Sequence, residues 1–266
     1  MNRHAFAHTR YLLLLLALRS IAFASVWEIN VNTGMTPAGR KIQPPTPGQP
    51  AYYYPYVVGY QEIGLVATGD KKLPDEAPVE HLIAEALASQ GYLVTHVAGT
   101  KLDPPPSLFL VFRWGNINPI LYDDFDRNGG KAHHYNQSAY LKEMNLVGLQ
   151  ITDVYDQSMP KKDLLESANN NRYFVTISAY DFAAYYTHHK SVLLWVSRMS
   201  IPKQDLYLDQ VVATLISTGT PFLGRETKTA RVVDLMVPPG KVDFGAPVFK
   251  DYAAPGAAQP PASPRP

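Results

Sequence analysis

The chain reads as an α+β protein: a single, mainly antiparallel sheet with two helices packed on one face, a long insertion and a disordered C-terminal tail. Three observations predict this. Two β-rich runs, 173–185 and 191–201, are separated by a short polar break, the signal of an antiparallel hairpin. Two segments, 78–90 and 205–217, carry apolar residues at helical spacing and end at Gly91 and Gly219. A third β-rich run, 107–114, is almost continuously apolar, as a strand buried on both faces must be.

The first 24 residues have the order of a secretory leader. Arg3 and Arg10 form a positive start, residues 11–18 an apolar stretch, and Ala22-Phe23-Ala24 a small-x-small cleavage site. Arg19 shortens the apolar stretch well below the about 20 residues of a spanning helix. Cleavage is expected before Ser25, which predicts a periplasmic or secreted protein with no transmembrane span after cleavage. The competing reading of this stretch is a buried N-terminal helix.

Residues 25–50 form a proline-rich lead-in segment in which Trp27, Ile29 and Val31 alternate with polar residues, enough for a short edge strand. The run Tyr52-Tyr53-Tyr54-Pro55-Tyr56-Val57-Val58-Gly59-Tyr60 follows. Its β propensity is high and Pro55 suits an edge strand. Tyr52, Tyr53, Tyr54, Tyr56 and Tyr60 are therefore candidate binding residues for a sugar or peptide, with plain coverage of a sheet face as the alternative.

In the helix that follows, Asp75 or Glu76 is placed to cap, Pro78 suits the first turn, and Val79, Leu82, Ile83, Ala86 and Leu87 share one face. Gly91 stops it where a left-handed residue is wanted, and residues 92–97 read as a strand. Residues 116–171 interrupt the core strands as an insertion, with helices expected near 138–149 and 161–168. In the second helix Leu208, Val211, Val212, Leu215 and Ile216 form the buried stripe. The α/β domain is bounded at 51–225, a C-terminal extension covers 226–252 with a strand expected at 232–237, and the Pro/Ala tail 253–266 has no means of building a core.

Composition excludes several chemistries. The chain has 0 cysteines, which removes disulfides, thiolate catalysis and thiolate metal sites. The formal net charge is +1, and loss of the leader with its three arginines turns it slightly negative. Nothing here resembles the electrostatic footprint of a nucleic-acid binder. No phosphate loop, dinucleotide fingerprint, Gly-x-Ser-x-Gly or His-Glu-x-x-His motif occurs, and no cofactor is expected.

The candidate metal ligands are His133, His134, Asp124 and Asp126. Imidazole and carboxylate suit zinc or nickel, yet adjacent histidines on an extended segment point to opposite faces. Asp124-x-Asp126-x-Asn128-Gly129 has the alternating oxygens of a calcium loop, but Tyr135 stands where the closing glutamate belongs. His188-His189 falls in the expected hairpin turn. A glycosidase needs two opposed carboxylates; Glu143 and Asp181 are available, and no spacing selects them. Asp181 interrupts an apolar strand and is expected to form a structural pair with Arg198 on the neighbouring strand.

The order of elements resembles a family of uncharacterised bacterial cell-envelope proteins, periplasmic and often lipoproteins, built on one small α/β domain. The resemblance rests on Leu87-Ala88-Ser89-Gln90-Gly91-Tyr92, the strand 108–112, Val192-Leu193-Leu194-Trp195 and the closing helix. The chain departs by lacking the lipidated cysteine and by carrying the insertion 116–171. The resemblance implies a fold and a compartment and brings no catalytic residues. The leading expectation is thus a non-catalytic protein that binds a protein partner in envelope assembly or maintenance. The alternatives are a secreted hydrolase or metal-dependent enzyme working through the insertion, and a carbohydrate-binding module working through residues 52–60.

Overall fold

A computed structural model describes residues 25–64, 73–125, 131–150, 153, 158–203 and 206–237. The leader 1–24 and the tail 253–266 lie outside the described residues. Among those described, the strands are β1 (Ser25–Met35), β2 (Ala51–Gly64), β3 (Tyr92–Val94), β4 (His96–Ala98), β5 (Lys101–Asp103), β6 (Leu108–Asn118), β7 (Ile120–Phe125), β8 (Lys131–Tyr135), β9 (Arg172–Asp181), β10 (Leu193–Pro202) and β11 (Arg231–Val237). The α-helices are α1 (Glu76–Ser89), α2 (Gln137–Leu146), α3 (Met159–Ser167), α4 (Phe182–His188) and α5 (Leu208–Gly219). None of the helices among the described residues is long and apolar enough to cross a membrane.

This corrects the expected architecture. The main sheet is curled and mixed, with seven strands in the order β11-β1-β10-β9-β6-β2-β3. Two further sheets of two strands each, β4-β5 and β7-β8, stand apart from it. Strand β2 pairs in parallel with both β3 and β6, while β6-β9, β9-β10 and β10-β1 are antiparallel. The parallel edge follows from α1. A helix between β2 and β3 carries the chain back along the sheet, so β3 must run in the same direction as β2. Among the described residues there are five α-helices: α1 and α5 at the two segments expected on the core face, α2 and α3 in the insertion near the expected 138–149 and 161–168, and α4 in the hairpin connection, where strand was expected.

The core lies between one face of the sheet and helices α1 and α5. Tyr53, Leu110, Phe112, Trp114, Tyr173, Val175, Ile177, Trp195, Met199 and Ile201 meet Val79, Ile83, Leu87, Leu208, Val211 and Leu215 there. Each fully buried side chain of this size contributes about 1.5–3 kcal/mol. Alternation along the strands sends the residues between them to the opposite face, called here the open face. The hairpin is as read, except that β9 ends at Asp181 and the connection is helical. The expected short strand in the lead-in is the full β1, which pairs with β10 rather than lying at the edge.

The insertion leaves β6 and returns through β9, its antiparallel neighbour. Its helix α2 covers one end of the open face, where Leu146 packs on Ile117 and Phe174. The Asn32 amide donates to the carbonyls of Leu146 (2.7 Å) and Asn145 (3.2 Å), and the Arg172 guanidinium donates to Ser167 Oγ (2.7 Å) and Ser200 Oγ (3.2 Å). These bonds tie both insertion helices to the sheet.

Candidate functional site on the open face of the sheet

Strand register arranges the open face in cross-strand rows. The first row is Tyr54, Phe109 and Tyr180. Two residues along, the next is Tyr56, Val111, Ser178 and Val196. Two further, the third is Gly59, Arg113, Thr176, Arg198 and Asn32. Beyond it the insertion closes over Phe174 and Ile117. One end of the face is therefore aromatic, its middle is basic, and its far end is roofed.

The aromatic end draws on four elements, β2, β6, β9 and α4. Phe109 is the hub: its ring lies 4.8 Å from Tyr185 (stacked), 5.8 Å from Tyr56, 6.3 Å from Tyr54 (stacked) and 6.5 Å from Tyr180. Phe182 joins Tyr54 at 6.3 Å and stacks on Tyr186 at 5.4 Å. Helix α4 supplies three of these rings because residues 182, 185 and 186 share one helical face. The Asp181 carboxylate starts the helix by accepting from the Ala184 amide at 2.8 Å, and the left-handed His189 ends it at φ 51°. The rings stay open to solvent: relative exposure is 38% for Tyr54, 54% for Tyr56, 44% for Tyr185 and 72% for Tyr186. A cleft of about 490 Å³ runs between Tyr54, Tyr56, Phe109, Tyr180, Tyr185 and Arg113.

Arg113 also lines a second, larger trough of about 890 Å³ toward the insertion, together with Gln61, Glu62, Lys142, Thr176 and Arg198. Arg113 and Lys142 are exposed, and Arg198 is half-buried. The Arg198 guanidinium donates to Asn32 Oδ1 at 3.4 Å, and burial pulls its pKa below the usual arginine range.

Of the five tyrosines singled out in sequence, Tyr54 and Tyr56 stand in the cluster. Tyr52 shares their side of the strand by alternation. Tyr53 is buried on the helix side, edge-on to Phe112 at 6.2 Å, and burial pushes its phenol up to about 12, with Glu80 adding to the rise. A β-bulge between Val57 and Gly59 resets the alternation, so Tyr60 pairs with Trp114 on the helix side and its hydroxyl donates to Glu62 at 3.1 Å. Phe109, Tyr180, Phe182, Tyr185 and Tyr186 were missed. The spacing of Phe182, Tyr185 and Tyr186 is the helical signal that was available; reading the segment as strand hid it.

The other candidates do not converge. His133 lies opposite Asp123 and His134 opposite Tyr122 in the β7-β8 ladder, while Asp124 faces Ala132. Asp126 lies outside the described residues. Among the described residues no group of three His, Asp or Glu side chains is placed to hold a metal ion. His188 and His189 are exposed at the end of α4. The expected Asp181–Arg198 pair is corrected: Asp181 is opposite Leu108 and caps α4, whereas Arg198 is opposite Thr176 and bonds Asn32. The antiparallel register sets them at different heights on the sheet.

Glu143 is fully buried under the insertion. Neither of its carboxyl oxygens has a hydrogen-bond partner among the described residues, and the same holds for Arg172 Nη2 and the Asn30 side-chain amide. Burial pushes the Glu143 carboxyl up to about 10, against the pull of the nearby Arg172. Glu143 stands near the buried Arg172, and the structure does not bring it together with Asp181, which caps α4.

No protein-family model matches the chain, and no curated protein matches it. Among solved structures, a PDZ domain protein from Parabacteroides distasonis is 13% identical, with a TM-score of 0.38 over 85% of this chain and 42% of that one. A PelC dodecamer from Paraburkholderia phytofirmans is 10% identical, with a TM-score of 0.31 over 74% of this chain and 98% of that one. The chain spans less than half the length of the PDZ domain protein it matches.

Proposed function

We propose that this chain is a non-catalytic binding protein of the cell envelope, and that its ligand is a saccharide chain seated on the open face of the sheet. The observation that carries the reading is the solvent-open cluster around Phe109, seven rings from β2, β6, β9 and α4 that face away from the core helices. A contiguous exposed aromatic surface is costly to keep in water and marks an interaction site. Tyrosine suits such a site because its ring is apolar and its hydroxyl stays hydrated. A sugar ring offers the matching shape, with an apolar C–H face and a polar rim. The trough beyond the rings mixes apolar residues such as Val58, Ile63 and Val196 with Gln61, Thr176, Ser178 and Asn145, whose polar groups can bond hydroxyls.

The non-catalytic part of the reading is supported by the lining of that trough. Glu62 is its single carboxylate and no histidine lines it among the described residues, whereas sugar hydrolysis requires a pair of opposed carboxylates. The envelope part rests on the leader pattern and on the family resemblance. Two experiments test the proposal. N-terminal sequencing of the exported protein is expected to begin at Ser25; an uncut protein retained in the cytoplasm refutes the compartment. NMR titration with mixed oligosaccharides is expected to shift amides around Tyr54, Phe109, Tyr180 and Tyr185. Shifts confined to the β3 or β11 edge would replace the saccharide with a strand-pairing protein partner.

A further inference from the structure

The third row of the open face specifies the ligand further. Arg113 and Arg198 flank Thr176 on strands two apart, which sets their backbones about 10 Å from each other. The aromatic row lies four residues along the same strands, about 13 Å away. Both arginines line the same trough, and Lys142 of α2 faces it from the insertion. Neither arginine has a carboxylate partner among the described residues. Arg198 is mostly withdrawn from water and keeps one long hydrogen bond, to Asn32. A guanidinium that gives up hydration without an anion in return is an unmet cost.

Resting on the saccharide reading, we infer that the chain held here is acidic, a uronate-type polymer whose sugar rings stack at Tyr54, Tyr56 and Tyr185 while its carboxylates bond Arg113 and Arg198. The planar guanidinium fork matches a carboxylate with two parallel hydrogen bonds. Three cations and one carboxylate along the trough form a sparse positive field. That density suits one carboxylate per sugar rather than a densely sulfated chain. Glu62 already accepts from the Tyr60 hydroxyl, and it stands at the insertion end, away from the rings.

The test is calorimetric titration of the purified chain with oligogalacturonate and with the same oligomer after reduction of its carboxyls to alcohols. Dextran sulfate, polyglutamate and an oligo-dT strand serve as the other arms. The expected result is tightest binding to oligogalacturonate, falling with added salt, with R198Q and R113Q each weakening it at least tenfold. Binding of the reduced oligomer is expected to be weaker and unchanged by either variant. R113Q carries the test if R198Q does not fold, since Arg113 is exposed, and matched melting curves confirm which variants are intact. Equal binding of acidic and reduced oligomers, both lost in Y56A, overturns this inference and leaves the saccharide reading standing. Preference for dextran sulfate overturns the carboxylate assignment. Binding of polyglutamate or oligo-dT but of neither saccharide overturns both readings, as does no binding to any arm.

Discussion

Replacing Tyr56 and Phe109 by alanine, one at a time, separates binding from folding at the aromatic end. Tyr56 is 54% exposed and meets one ring, Phe109 at 5.8 Å. An aromatic pair contributes about 0.5–1.5 kcal/mol beyond area. Exposure puts this pair at the low end, so Tyr56→Ala is expected to cost about 0.5 kcal/mol of stability. Phe109 is half-buried and meets four rings within 6.5 Å. Its truncation is expected to cost about 2–3 kcal/mol, below the 3–5 kcal/mol of a fully enclosed phenylalanine. Binding should invert this ordering. A stacked sugar on Tyr56 is worth about 1.4 kcal/mol, so Tyr56→Ala raises Kd roughly tenfold while barely moving the unfolding midpoint. Urea unfolding reads the first quantity and calorimetry the second. If Tyr56→Ala binds like the unaltered protein, or loses as much stability as Phe109→Ala, the exposed cluster is not the platform described.

Three other outcomes follow from the same geometry. An unfolded glutamate ionises near 4.5, but the buried Glu143 holds its proton up to about 10, so the folded form is favoured at low pH. Stability is expected to fall as pH rises above about 4.5, by at most about 1.4 kcal/mol per pH unit from this group, and Glu143→Gln should flatten that slope in urea unfolding at several pH values. A slope unchanged in the variant would mean that Glu143 ionises in the fold beside Arg172. Asp181→Ala removes the α4 cap and is expected to cost about 1 kcal/mol by thermal unfolding. It should also weaken saccharide binding, because Phe182, Tyr185 and Tyr186 depend on that helix; Asp181→Asn, which still accepts, should restore both. Gly91→Ala places a Cβ 2.5 Å from the Thr46 carbonyl carbon at φ +87° and should lower stability by at least about 1–3 kcal/mol, whereas Gly99→Ala meets open space and should cost less.

Much of the fold was legible because burial writes a period into the chain. The stripe Leu208, Val211, Val212, Leu215 and Ile216 is buried as read, and so are Val79, Ile83, Ala86 and Leu87 of α1. The near-continuous apolar run of β6 does mark an interior strand, between β9 and β2. Parallel pairing was not legible as a local pattern, since β2 meets β6 across more than 50 residues and leaves no turn signature. Segment 172–185 was read as strand throughout because Tyr and Phe are strand formers; Asp181 as a cap, rather than as an ion-pair partner, is what turns the chain into α4. The aromatic site was half legible. A run of tyrosines marks a β2 surface, but which of them face outward depends on the bulge at Val57/Gly59, and their partners arrive from distant strands.

The most direct test of the binding account is a glycan array probed with the purified chain and with a Tyr54→Ala, Tyr56→Ala, Tyr185→Ala triple variant of matched melting behaviour. The account predicts a restricted set of saccharides retained by the first, enriched in uronate-bearing chains, and lost by the second. An array on which the two proteins give the same pattern, or on which the unaltered chain retains nothing, would contradict it.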